Sequence, residues 1–187
     1  EWVIVANLFA LLVGFALLSN HFEQSHVPAL LPKFLPDDWK GAFVLLVLVF
    51  VLSSFLDNIA AAMIGGTVAG SVFKKRVHIG YLAAIVAASN AGGAGSVVGD
   101  TTTTMIWIAG GSPLQVLHAY IAAMPALLFF GFFAARQQHA YQPIVRDAPT
   151  GIRVDYARLA IVAAILISAI GANVYFNLRQ PQVLDHV

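Results

Sequence analysis

Ser89-Asn90-Ala91-Gly92-Gly93-Ala94-Gly95-Ser96-Val97-Val98-Gly99-Asp100-Thr101-Thr102-Thr103-Thr104 interrupts apolar, helix-forming sequence that runs up to it from Ile79 and away from it to Ala109. Gly92, Gly93, Gly95 and Gly99 each cost roughly 1 kcal/mol against alanine in a helix. An aspartate near the centre of a bilayer costs about 2.5 to 3.5 kcal/mol on insertion scales. Irregular backbone persists at membrane depth only where protein buries it or where it lines a hydrated cavity, because lipid cannot satisfy free N–H and C=O groups. The stretch is therefore read as a ligand or ion site set into a discontinuous helix.

The membrane itself is inferred from composition. The chain has 187 residues, of which 59% are hydrophobic and 10% charged, with a mean hydropathy of +0.82. A soluble domain carries about 25% charged residues, so an all-α membrane protein in contact with a lipid bilayer is expected. The net charge of +1 and the lack of a basic tract with interleaved aromatics exclude a nucleic-acid partner. Without cysteine there is neither a disulfide frame nor a thiolate metal site. Glu1 leads straight into an apolar run with no charged leader or small-residue cleavage site, which reads as a chain cut from something longer.

Upstream of the glycine-rich stretch, residues 41–72 are informative through their length. One straight helix of that size would reach about 48 Å against a hydrocarbon core of about 30 Å, while two full spans need about 40 residues. The polar insert Ser53-Ser54-Phe55-Leu56-Asp57-Asn58 falls near the middle. Two half-length helices meeting there are predicted, a re-entrant hairpin with its tip at membrane depth. Asp57 or Asn58 caps the returning helix, and Gly65, Gly66 and Gly70 let it pack closely. Lys74, Lys75 and Arg76 with His78 mark a cytoplasmic loop at 73–78.

Residues 79–111 then form one discontinuous crossing. Ser112 and Pro113 open the next helix as N-cap and first-turn proline, and a full span over 114–135 is kinked at Pro125. The polar segment 136–158, with Arg136, Arg146, Arg153 and Arg158, returns to the cytoplasm; a last span over 159–175 and a tail follow. At the other end, residues 2–18 make a first span with Trp2 as interfacial anchor and Asn7 bonded to a neighbouring helix. Residues 19–40, punctuated by Pro28, Pro32 and Pro36, form a polar loop with a short interfacial helix around 30–35. The hairpin puts this loop in the cytoplasm, whereas a single tilted crossing through 41–72 would put it outside. The chain thus divides into a first helix and loop (1–40), a transport-type core (41–111) and two further spans (112–187). His21, His26 and His118 read as solvated or interfacial, since no third ligand accompanies them.

Two interrupted elements, each with one carboxylate, point to a site built from Ser54, Asp57, Asn58, Ser89, Asn90, Ser96, Asp100, Thr101 and Thr102. Gly92, Gly93, Gly95 and Gly99 permit close backbone approach to the bound ion. Hard cations want oxygen ligands, and Asp57, Asn58, Asn90 and Asp100 are the candidates for Na⁺. The same carboxylates can bind a proton in competition with the metal ion, a sufficient basis for exchange if the site alternates between the two faces. Half-helix N-termini in the same place would equally favour an anionic substrate. No resident cofactor is expected; Na⁺ and H⁺ are cargo.

Ser53-Ser54-Phe55-Leu56-Asp57-Asn58-Ile59-Ala60-Ala61 resembles the first hairpin tip of the ion transporter superfamily, which includes dicarboxylate and citrate symporters, arsenite pumps and sodium/proton antiporters. Asn90-Ala91-Gly92-Gly93-Ala94-Gly95-Ser96-Val97-Val98-Gly99-Asp100-Thr101-Thr102-Thr103 resembles the unwound loop that follows it, and the match in order and spacing covers residues 44–111. The resemblance implies a homodimeric, elevator-type carrier of inverted repeats, multi-pass in a bacterial inner or plasma membrane. Its two tips form half of a sodium and substrate site. Asp57 and Asn58 stand where the dicarboxylate branch has Ser-Asn-Thr, and Asp100 where that branch has Thr followed by prolines. The Asn-Ala-Gly-Gly and Gly-Asp-Thr-Thr runs are more similar to the sodium/proton antiporter branch. The family carries two hairpins and two unwound loops, so one of each reads as one inverted-repeat half whose other half is its partner.

The expected function is secondary active Na⁺/H⁺ antiport, with no enzymatic activity. A sodium-coupled citrate or dicarboxylate symporter is the alternative within the superfamily. An intramembrane aspartyl protease also needs two embedded aspartates, but Val97 precedes Val98-Gly99-Asp100 where that class has Gly-x-Gly-Asp. No His-Glu-x-x-His zinc-protease pattern occurs. A non-transporting membrane subunit is the remaining alternative.

Overall fold

The computed structural model describes residues 2–145, 151 and 153–179. Arg146, the end of the expected tail and the side chains of Trp2 and Asn7 lie outside what is described. Among the described residues every regular element is helical: α1 (Trp2–Gln24), α2 (Val27–Leu30), a 3-10 turn (Leu31–Phe34), α3 (Trp39–Ser53), α4 (Asn58–Val72), α5 (Ile79–Ala94), α6 (Thr101–Ile108), α7 (Pro113–Leu117), α8 (Ala119–Tyr141) and α9 (Tyr156–Arg179).

The centre is a hairpin of α3 and α4 packed against α5, with α8 covering α3 and α5. Asp38 starts α3 by accepting from the Lys40 amide at 2.9 Å. The amide of Leu56 closes the tip onto the Leu52 carbonyl at 2.8 Å, and the Leu56 side chain is buried beneath it. Each arm has 15 residues, about 22 Å of helix at 1.5 Å per residue, well short of a bilayer core. The single tilted crossing considered for residues 41–72 does not occur, because the chain turns back after Ser53. Leu45, Leu46 and Val49 of α3 interlock with Ile64 and Val68 of α4 and Ile85 of α5, and the Tyr81 hydroxyl donates to the Ala42 carbonyl at 2.5 Å.

All the segments opposite the tip gather at one end. The Val145 amide donates to the Val72 carbonyl at 2.8 Å, Pro36 and Ile144 crowd Gly41, and the Asp155 amide donates to the Ser25 carbonyl at 3.0 Å. The 25–38 loop, the 73–78 loop and the segment after α8 therefore share one face of the molecule, as a returning hairpin requires.

Three helix limits differ from the sequence reading. α1 runs through Gln24, six residues beyond Leu18, because nothing between them breaks a helix; it stops where the Ser25 hydroxyl donates to the Phe22 carbonyl and His26 turns the chain at φ 63°. Pro125 lies inside α8, and an interruption not expected from sequence falls at His118, where tight i,i+3 bonds from His118 to Gln115 and from Ile121 to His118 separate α7 from α8. α8 also continues past Arg136 to Tyr141, since Gln138 is drawn into the interior.

Gln138 is fully buried and fully satisfied. Its Oε1 accepts from the His78 amide at 2.7 Å, and its Nε2 donates to the carbonyls of Arg76 and Gln142, both at 3.2 Å. Gln138→Leu is expected to lower stability by about 1–3 kcal/mol by stranding the Arg76 and His78 backbone groups, measured as thermal unfolding of the full-length protein in detergent.

Among the described residues one helical stretch, Pro113–Tyr141, is long and apolar enough to cross a membrane; α3, α4 and α5 are apolar but shorter. Its outer side exposes Ile121, Leu128, Phe129, Phe130 and Phe133, a surface that suits lipid or protein better than water.

Candidate ion site at the hairpin tip and helix break

The helix break is shorter than its glycines suggest. α5 continues through Asn90, Gly92 and Gly93 to Ala94, and only residues 95–100 leave the helix before α6 begins at Thr101. Packing overrides the low helix propensity of glycine here. A Cβ on Gly92 would overlap the Phe50 carbonyl, one on Gly99 the Ser53 carbonyl, and one on Gly95 the Tyr120 ring. These glycines exist because backbone passes directly against backbone or ring. In α4, Gly65 packs on Val49 and Ile85 as expected, whereas Gly66 and Gly70 face open space.

The tip and the break meet through Asn58. Its Nδ2 donates to the Asn90 Oδ1 at 2.9 Å and toward the Asp100 Oδ1 at 3.4 Å. The second oxygen of Asp100 accepts from the Thr103 amide at 3.4 Å and so caps α6. Asn90 is held in turn by donation to the Val86 carbonyl at 2.9 Å. Asp57 occupies the N-cap position of α4; the amides of Asn58, Ile59 and Ala60 point toward its carboxylate, yet no capping hydrogen bond closes. Asp57 immediately precedes Asn58 and so belongs to the same tip. Two carboxylates, two carboxamides and the N-termini of α4 and α6 are thus brought to one place. Asp57, Asn58, Asp100 and Thr101 are half-buried, and Asn90 and Thr102 are exposed.

Ser54, Ser89 and Ser96 of the predicted site, together with Ser53, bond main-chain oxygens. Ser53 Oγ donates to the Ser89 carbonyl and Ser96 Oγ to the Ser54 carbonyl, both at 2.5 Å; Ser54 Oγ donates to the Gly92 and Phe50 carbonyls at 3.2 Å. Ser89 Oγ donates to the Val86 carbonyl at 2.9 Å. Thr103 and Thr104 Oγ1 reach the Ser96 and Val97 carbonyls. Hydroxyl groups thereby satisfy the main-chain oxygens that the break releases, which lets irregular backbone sit away from water.

Thr103, Thr104 and Tyr120 were not singled out by sequence. The two threonines carry a legible signal, since hydroxyls in the first turn of a helix commonly bond backward into the preceding loop. Tyr120 carries none: it lies on α8, 66 positions from Ser54, and its Oη reaches Ser54 Oγ at 2.8 Å and the Gly92 carbonyl at 2.9 Å.

Beside the tip, Asn58, Ser89 and Asn90 line an open cleft of about 370 Å³ with Ile59, Met63 and Val86. Among the described residues no cluster of three or more His, Cys, Asp or Glu could hold a metal ion.

The chain is similar to sodium/proton antiporters. It is 33% identical to sodium/proton antiporter 1 of Arabidopsis thaliana over 115 residues, 61% of this chain and 16% of that protein. It is 40% identical to sodium/proton antiporter 2 of the same plant over 62 residues, 33% of this chain and 15% of the relative. To the Na(+)/H(+) antiporter NhaD of Vibrio cholerae it is 30% identical over 138 residues, 70% of this chain and 28% of that protein. The chain spans less than a third of the length of each of these relatives. No protein-family model matches it, and no solved structure does.

Proposed function

We propose that the chain is the site-bearing part of a secondary carrier that exchanges Na⁺ for H⁺. One observation carries the reading: the Asn58 amide, next in sequence to Asp57, links the hairpin tip to Asn90 and Asp100 beside the N-termini of α4 and α6. Two adjacent carboxylates attract a cation, and Na⁺ and protons compete for the same oxygens. Exchange follows when that competition is exposed to the two sides of the membrane in turn. Similarity to proteins named sodium/proton antiporters supports the same reading.

In this reading α3 and α4 form a re-entrant hairpin, residues 79–111 and α8 cross the bilayer, and the basic loops at 73–78 and 136–158 are cytoplasmic. The exposed Ile59, Met63 and Val86 beside the cleft then face the second repeat that the superfamily resemblance implies, in an assembly that is dimeric.

The test is the full-length protein in sealed vesicles with an internal pH dye. Sodium or lithium pulses are expected to drive proton movement that vanishes when the gradient is collapsed. Citrate- or succinate-dependent current without sodium-induced proton movement would replace the reading by carboxylate symport.

A further inference from the structure

We infer that Tyr120 is a positioning residue for the cation site, holding the hairpin tip against the end of α5 so that Asp57 and Asn58 stand opposite Asn90 and Asp100. The inference rests on cation exchange at that site. Ser54 lies three residues before Asp57, and Gly92 two residues after Asn90. The Tyr120 hydroxyl touches both, at 2.8 Å and 2.9 Å, while Ser96 holds the Ser54 carbonyl from the other side. Ser53, Ser54 and Ser96 tie the hairpin to α5 and the break; Tyr120 adds the tie to α8.

Hydrogen bonds and packing together set this contact. The Tyr120 ring lies over Gly95 and 5.5 Å from the Phe50 ring centroid, and it also borders a cavity of about 360 Å³ lined by Gly95, Ser96, Trp107 and Leu117. A ring bordered by such a space can shift once its hydroxyl anchor is removed. The shift would pass through Ser54 to the tip, displacing Asn58 from Asn90 and Asp100 without deleting any ligand. Tyr120 has no hydrogen bond to either carboxylate, so it acts on ion affinity through the placement of the tip.

The test is Tyr120→Phe in the full-length protein, assayed for sodium-driven proton movement in vesicles. The KM for Na⁺ is expected to rise about fivefold, the worth of one net hydrogen bond, with the maximal rate within about twofold of wild type. Ser54→Ala should raise KM similarly, and the double variant Tyr120→Phe with Ser54→Ala should be less than multiplicative, because the Tyr120–Ser54 contact is common to both. An unchanged KM, a multiplicative double variant, or a loss of rate and thermal stability with KM intact would overturn the assignment. Absence of sodium-driven proton movement in the wild type would instead overturn the exchange reading beneath it.

Discussion

Asp100→Asn in the full-length protein is expected to reduce sodium-driven proton movement on the order of 100-fold, and Asp57→Asn to do the same. Losing one charged partner from a partly desolvated ion contact costs about 2–5 kcal/mol, and each 1.4 kcal/mol is about tenfold in affinity. The choice of asparagine matters. Asp100 caps α6 through the Thr103 amide, and asparagine caps about as well as aspartate, so the helix break should survive the substitution. At Asp57 no capping bond is present to lose. Thermal unfolding close to wild type together with lost exchange would therefore assign the effect to the charge. Exchange that persists undiminished in either variant removes that carboxylate from the site.

Gly92→Ala and Gly99→Ala are expected to destabilise the protein by about 3 kcal/mol each, at the upper end of overpacking costs, because the added methyl meets a main-chain oxygen that no rotamer change can move aside. At Gly92 the obstacle is Phe50 on α3, so α5 must part from the hairpin; at Gly99 it is Ser53, so the loop must lift off the tip. Gly66→Ala is the matched control. It stands in the interior of α4 with open space around it, and alanine there should raise stability by about 0.5–1 kcal/mol through better helix propensity. The three variants separate close approach from intrinsic preference in one series of melting curves. Equal melting temperatures for Gly92→Ala and Gly66→Ala would contradict the packing account.

Much of the core was legible in particular residues. The insert at Ser53 to Asn58 announces a turn because a mainly apolar stretch of 32 residues is too long for one crossing and too short for two, and the turn lies at Ser54 to Asp57. Ser112 before Pro113 announces a helix start, and α7 begins at Pro113. The glycine run announced a break but misplaced its start. Gly92 and Gly93 stay helical because contact with α3 outweighs their propensity. The polar segment beginning at Arg136 suggested a loop where α8 instead continues and Gln138 is buried as a clamp between α8 and the 73–78 loop.

Sequence by itself determined that the chain turns between α3 and α4, where α7 starts, and which groups carry charge within apolar surroundings. Capping, helix length and the cost of desolvating a carboxylate depend on neighbours within a few positions. Only the tertiary structure decided that Asn58 spans 32 and 42 positions to reach Asn90 and Asp100, that serine hydroxyls cover the released carbonyls, and that Tyr120 closes on Ser54 from α8. Those contacts depend on how closely whole helices approach, which Gly92, Gly95 and Gly99 allow but no local pattern specifies.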